Sequence, residues 1–464
     1  MSGKWVPDLS SAAGPKYLAV AGEIARAIES GELAPGDQLP PQRDLAEQLG
    51  VTVGTVSRAY ALARKHNLVS GEVGRGTFIT GVPTEVEAPR MFAPQSDAVI
   101  DLQSYSAAPS DQGTLMLSRA LGELAERVLM MPLHKYPANM GMESHRMAGA
   151  AWIRRSGLEA AAADVLPTYG AQEALSTCLD VLAQRGDTVL AEAITYAGLK
   201  SMAAIKGLHL QPLEMDDEGV VPEALEREAK KTRARLLYLQ PTVHNPTTRT
   251  MSARRRAEIA KVIKKHDLVL IEDDAAVSPL RERPVPLSAQ LPDRACYITS
   301  LSKFMSPIVR VGYLHASGPM LGALADALYT NRLGPSTLNL ELATSLVQTR
   351  AAETLADGYL DAMSKCLDTA RAVFAPDQYR AALGCNYLWL NIPKAWNADE
   401  FVRAARQQGL AIPYLDNFLI DSRVEDAGTR ITLNAALAPD VLKSCFAKLA
   451  GLLASRPTRY SSVV

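Results

Sequence analysis

Residues 299–314 read TSLSKFMSPIVRVGYL, which sets one lysine, Lys303, among small hydroxyl residues with Arg310 seven positions on, in a stretch too apolar for an ordinary solvated loop. A surface position is the commoner fate of lysine. In apolar surroundings it has another use, because desolvation disfavours the charged form and a neutral amine can attack an aldehyde to form a Schiff base. Candidates for the supporting roles occur along the chain. Gly170, Ala171 and Gln172 in PTYGAQEAL open a helix whose amides can face a phosphate. Ser300, Ser302 and Arg310 can complete the anion cup, the guanidinium offering two-pronged, charge-assisted bonds. Tyr196 in AEAITYAGL can stack on a flat ring, Asn245 in PTVHNPTTRT can hydrogen-bond a ring oxygen, and Asp273 in LVLIEDD can hold a ring nitrogen protonated.

Singly, each has a plainer explanation: Asp273 as a cap, Tyr196 as core, Asn245 before Pro246 as a turn former, TYGAQ as an ordinary helix start. Together they match what pyridoxal 5'-phosphate asks of a protein: a lysine, an acid for the ring nitrogen, a donor for the ring hydroxyl, a phosphate cup and a flat cover.

Elements able to bring these residues together follow from the hydrophobic pattern. Strand-like runs at 187–192, 234–241, 268–274 and 295–300 alternate with amphipathic segments such as 251–267, where Ile259, Val262 and Ile263 share a face. Such alternation predicts an α/β fold with a mostly parallel sheet flanked by helices, and ligands of such sheets collect beyond the carboxyl ends of the strands. His244 and Asn245, Asp273 and Asp274, and Ser300 through Lys303 all lie on such tails.

The N-terminal part has another design. Tyr17, Val20, Ile24 and Ile28 line one helical face, ended by Gly31. A helix from about Arg43 to Leu49 is broken by Gly50, a second begins at the capping Thr52, and a glycine-punctuated strand pair follows, which predicts a small winged helix-turn-helix over 10–80. The second helix buries Val56, Tyr60 and Ala63 and turns Thr52, Thr55, Ser57, Arg58 and Arg64 outward, a face suited to the major groove of double-stranded DNA. Arg75, at the wing tip, can reach phosphates or the minor groove. Five Lys/Arg against three acids between 43 and 80 give only a mild positive excess, so a helical protein-interaction module is the competing reading.

The 464 residues suffice for two or three domains. Residues 81–98 hold three prolines and little periodic apolar content, and read as a linker to a larger part at 99–464, with a large subdomain at about 135–330 and a small C-terminal one at about 340–464. A net charge of -1 gives no global sign of a polyanion partner. Five dispersed cysteines without a CxxC pair predict a reduced, cytoplasmic protein with no metal site, and the absence of a leader or an apolar run of about 18 residues argues against export or membrane insertion.

Two resemblances sharpen this. LPPQRDLA, LGV, TVSRAY and GRGTF resemble the GntR-type winged-helix motifs, which implies DNA contacts for Arg43 and for Thr52 to Arg58, although Val53 and Gly54 stand where relatives often carry arginine or another polar residue. From about residue 99, YGAQ, HNP, IEDD and SLSKFMSPIVR resemble fold-type I aminotransferases. The whole chain resembles the MocR subfamily of bacterial transcriptional regulators. That resemblance implies Lys303 as the aldimine lysine, Tyr136 in HKYPANMG reaching the phosphate of a partner subunit in a head-to-tail homodimer, and Arg430 in GTRITLNAAL clamping the carboxylate of a small amine or amino-acid effector. Ala275 and Ala276 stand where the family commonly has a tyrosine bonding the ring oxygen, and Thr248 stands where relatives usually have glycine. Two functions remain open: a regulator that senses pyridoxal phosphate, a small amino compound or both through Lys303, and a working aminotransferase with an appended DNA-binding domain.

Overall fold

The computed structural model describes residues 5–7, 9, 15–34, 36–65, 68–72, 76–79, 99–104, 111–131, 140–275, 283–421 and 427–456. The chain divides into two compact units, Met1–Ala88 and Pro89–Val464.

In the first unit the helices Lys16–Glu29, Gln42–Gln48 and Val53–Lys65 surround an apolar core in which Val20, Ile24, Leu45, Val56 and Tyr60 are buried. Thr52 caps the third helix, its Oγ1 accepting the Thr55 N–H at 3.2 Å, because the first turn of a helix has no internal acceptor for its amides. Gly50, at φ +59°, makes the left-handed turn between the second and third helices that a side chain would resist. The strands Val69–Glu72 and Gly76–Ile79 pair antiparallel, and Gln38–Leu39 adds a third strand at their edge. Tyr60 spends its buried hydroxyl on the Pro40 carbonyl at 2.7 Å, tying the third helix to the second helix's entry.

The second unit is built on a seven-stranded sheet. In spatial order its strands are Val165–Thr168, Gly312–His315, Ala295–Ser300, Val269–Asp273, Leu236–Leu239, Thr188–Glu192 and His209–Leu213, and Gly312–His315 alone runs against the rest. Leu236–Leu239 and Ala295–Ser300 are buried at every position, which is why these runs are continuously apolar. The 251–267 segment forms the helix Ala253–Lys265, capped by Ser252 Oγ on the Arg255 N–H, with Ile259, Val262 and Ile263 buried against the sheet. Beyond the helices Pro319–Arg332, Thr337–Gln348 and Ala351–Arg371, a three-stranded antiparallel sheet of Tyr379–Ala381, Tyr387–Asn391 and Gly428–Thr432 carries Arg430. No helix among the described residues is long and apolar enough to cross a membrane.

Candidate functional site

The carboxyl ends of three adjacent parallel strands, with the segments that leave them, bring most of the candidate residues together. Asp273 ends Val269–Asp273 at 5% exposure. Its Oδ2 accepts the Tyr238 hydroxyl at 2.7 Å and the Gln240 side-chain amide at 3.3 Å, and its Oδ1 accepts the Ala275 N–H at 3.0 Å. Burial raises the pKa of this acid, while its hydrogen bonds and the charge of Lys303 pull it back. Asp274 faces elsewhere: it pairs with Arg283 at 2.7 Å and accepts the Tyr297 hydroxyl.

Lys303 follows Ala295–Ser300 by three residues and is half-buried, and its amine makes no hydrogen bond or ion pair among the described residues. Burial lowers its pKa, Arg430 lowers it further, and Asp273 and Cys385 oppose the shift. A nearby acid therefore tempers the desolvation, and the amine is more readily neutral than a surface lysine.

Asn245 leads into a cis bond to Pro246, and its Oδ1 accepts Arg430 Nη1–H at 3.0 Å. Arg430 also donates Nη2–H to the Gln103 carbonyl at 2.7 Å, with its guanidinium 5.5 Å from the Tyr387 ring centre and 5.3 Å from that of Phe418. Two acceptors and two aromatic faces hold the planar fork in place. The loop itself rests on Arg256, 1% exposed, which donates to the carbonyls of Met251 and Pro241 and to Thr242 Oγ1. Thr248 has φ +62°, a left-handed turn carried by a β-branched residue.

Gly170, at φ +86°, precedes the helix Ala171–Leu182, and a Cβ there would lie 3.7 Å from the Arg310 guanidinium. Arg310, itself left-handed at φ +47°, donates to the Tyr169 carbonyl at 3.4 Å. Ser300 Oγ accepts the Ser302 N–H at 3.2 Å, and Ser302 Oγ is buried without a partner among the described residues. Helix amides, an orphaned hydroxyl and a guanidinium make a donor set suited to a phosphate, and with Lys303 and Asp273 these residues fit pyridoxal phosphate. Tyr196 donates its hydroxyl to Gln172 Oε1 at 2.8 Å, and its ring fills the space that a Cβ on Gly198 would enter at 2.3 Å.

Tyr136 and Ala276 lie outside the described residues, as does Arg75. In the N-terminal unit Arg43, Thr52, Ser57, Arg58 and Arg64 are exposed and Thr55 is half-buried, on or beside the second and third helices. The described residues hold no group of three or more His, Cys, Asp or Glu arranged for a metal. Sequence reasoning missed Tyr238, Gln240, Arg256 and Gln103. The first two end an apolar run whose only signal was polar groups at a strand exit, and Gln103 joins the site through a carbonyl, which any residue has.

Comparison with known proteins agrees with this geometry. The model of aminotransferase class I and II matches residues 98–449, and that of the gntR family of bacterial regulatory proteins matches residues 16–79. The chain belongs to the class I and II aminotransferase family, and its two matched regions together make it a GntR-type regulator of the MocR kind. It is 27% identical to the Bacillus subtilis HTH-type transcriptional regulator YdeF over 93% of each chain. It is 31% identical to the Salmonella typhimurium vitamin B6 salvage pathway transcriptional repressor PtsJ, over 62% of this chain and 64% of that one. It is 25% identical to the Rhodobacter capsulatus HTH-type transcriptional regulator TauR, over 84% and 86%. Among solved structures it resembles Pyrococcus horikoshii kynurenine aminotransferase, with a TM-score of 0.68 at 20% identity over 77% of this chain and 91% of that one. The Thermus thermophilus α-aminoadipate aminotransferase LysN gives 0.65 at 24% identity over 77% and 92%.

Proposed function

We propose that the protein is a pyridoxal-phosphate-dependent transcriptional regulator whose aminotransferase-like unit senses the cofactor, a small amino compound, or both, through Lys303. The observation that carries this reading is the pKa-lowered Lys303 amine, without a hydrogen-bond or ion-pair partner among the described residues and electrostatically flanked by Asp273 and Arg430. When bound, the cofactor supplies an aldehyde carbon that either Lys303 or an incoming primary amine can hold covalently. Asp273 would hold the ring-nitrogen proton, Gly170, Ala171, Gln172, Ser300, Ser302 and Arg310 the phosphate, and Tyr196 one face of the ring. Arg430 would orient an effector's carboxylate. Arg43, Thr52, Thr55, Ser57 and Arg58, with Arg75 at the wing, would contact double-stranded DNA, and Tyr136 would reach the partner's phosphate in a head-to-tail homodimer.

An effector acts only by binding one DNA-binding state better than the other, and a tenfold shift takes about 1.4 kcal/mol of differential affinity. The test is the visible spectrum of the pyridoxal-phosphate-loaded protein during addition of a panel of amino acids and amines. One ligand that displaces lysine from the cofactor and then stays bound supports the sensor. Repeated release of keto acid from an amino-acid donor supports the working aminotransferase, a reading that the complete Lys303, Asp273 and Arg430 set favours. A panel with no spectral response overturns both as far as amines are concerned.

A further inference from the structure

Glu192 ends the strand Thr188–Glu192 at 1% exposure and has none of the roles assigned above. Its Oε1 accepts the Gln240 backbone N–H at 2.8 Å, and its Oε2 is buried without a partner among the described residues. Gln240 gives its side-chain amide to Asp273 Oδ2 at 3.3 Å, and its own Oε1 is likewise buried and unpartnered. Three buried side chains at neighbouring strand ends thus form the row Glu192, Gln240, Asp273.

Counting donors among the described residues favours a protonated Glu192. An ionised Glu192 would leave two buried acceptors without a donor, each costing about 1–3 kcal/mol, and would add a second negative charge close to Asp273. A proton on Oε2 removes one acceptor and supplies a donor. The titratable groups facing Glu192 are Asp273 from one neighbouring segment and Tyr238 from the strand between, with Tyr196 beyond Tyr238. None is a cation. Burial pushes Glu192 up to about 8, its two backbone amides opposing and Asp273 adding to the shift.

We propose that Glu192 is a positioning residue that works as a neutral carboxylic acid: it fixes Gln240 against Asp273 and leaves Asp273 as the single negative charge offered to the cofactor's ring nitrogen. This rests on the reading of Asp273 as the ring-nitrogen partner. A side chain that acted as an anion would respond differently to substitution by glutamine, which keeps shape, one acceptor and one donor without charge, and the pH-dependence of stability separates a protonated acid from one that is already ionised.

The experiment compares full-length wild type, Glu192→Gln and Glu192→Ala. Pyridoxal phosphate is titrated at pH 7 by the absorbance of lysine-bound cofactor, and urea unfolding of the cofactor-free proteins is followed from pH 6 to 9.5. Glu192→Gln is expected to bind the cofactor within about threefold of wild type, and Glu192→Ala to bind about tenfold more weakly. In the cofactor-free state wild type loses stability relative to Glu192→Gln as the pH rises through about 8. The sign follows because the folded acid holds its proton more tightly than the unfolded one. A tenfold loss of cofactor in Glu192→Gln, or parallel stability curves for the two proteins, overturns the proposal. Should Glu192→Ala fail to fold, the glutamine variant decides alone. If wild type shows no lysine-bound cofactor, the reading of the site fails, while the unfolding comparison still judges whether Glu192 carries a proton.

Discussion

Replacing Tyr238 by phenylalanine removes one hydroxyl and keeps the ring that packs in the core beside Ile271 and Ile298. That hydroxyl donates to Asp273 at 2.7 Å, with Tyr238 at 0% exposure and the acid at 5%. A buried bond to a carboxylate contributes about 1.5–3 kcal/mol, and among the described residues the aspartate would keep the Ala275 N–H at 3.0 Å and the longer Gln240 contact at 3.3 Å. The pKa of Asp273, already raised by burial, should rise further, making it a poorer partner for a protonated ring nitrogen. Tyr238→Phe is therefore expected to lose about 2 kcal/mol of cofactor-free stability in urea unfolding and to bind pyridoxal phosphate about tenfold more weakly. Unchanged cofactor affinity in a variant that has lost that stability would refute the link between the Tyr238 hydroxyl and the ring nitrogen, leaving it a support of the fold alone.

Other substitutions separate the remaining roles. Lys303→Met removes an amine whose folded pKa lies below its unfolded one, so wild-type stability should rise with pH toward about 10 and the variant's should not, which cofactor-free unfolding between pH 7 and 10 would reveal. Arg430→Gln should keep pyridoxal phosphate and weaken carboxylate-bearing effectors by about a hundredfold, the worth of a lost two-pronged charged contact, measured by effector titration of the loaded protein. Arg43→Ala and Arg58→Ala should each reduce the slope of log DNA affinity against log salt by about one in fluorescence anisotropy, if each neutralises one phosphate.

Much of this architecture is legible in the residues because local pattern and tertiary role coincide. The strands at 236–239 and 295–300 are buried throughout and that at 269–273 from its second residue on, so their apolar runs stand out, and their exits are where Asp273 and Lys303 become visible as polar departures. Thr52 is readable as a cap because a threonine before a helical run has few other uses. The supporting groups were hidden. Arg256 looks like one of several cations on a solvated helix, and only the register of Ala253–Lys265 on the sheet turns it inward to the Asn245 loop. The joining of Asn245 to Arg430, 185 residues apart, depends on how the C-terminal sheet meets that loop, which no local pattern encodes. Thr248 is another such position: its backbone is left-handed, and a threonine gives no local signal of that conformation.

The central claim is that Lys303 links the cofactor to DNA binding. The most direct test is to select DNA fragments with the full-length protein and measure their affinity for wild type and Lys303→Ala, with and without pyridoxal phosphate and with a ligand from the amine panel. The account predicts a wild-type affinity that shifts with cofactor or amine, by about tenfold for each 1.4 kcal/mol of coupling, and a variant that binds DNA without responding. An equal response in Lys303→Ala would contradict it.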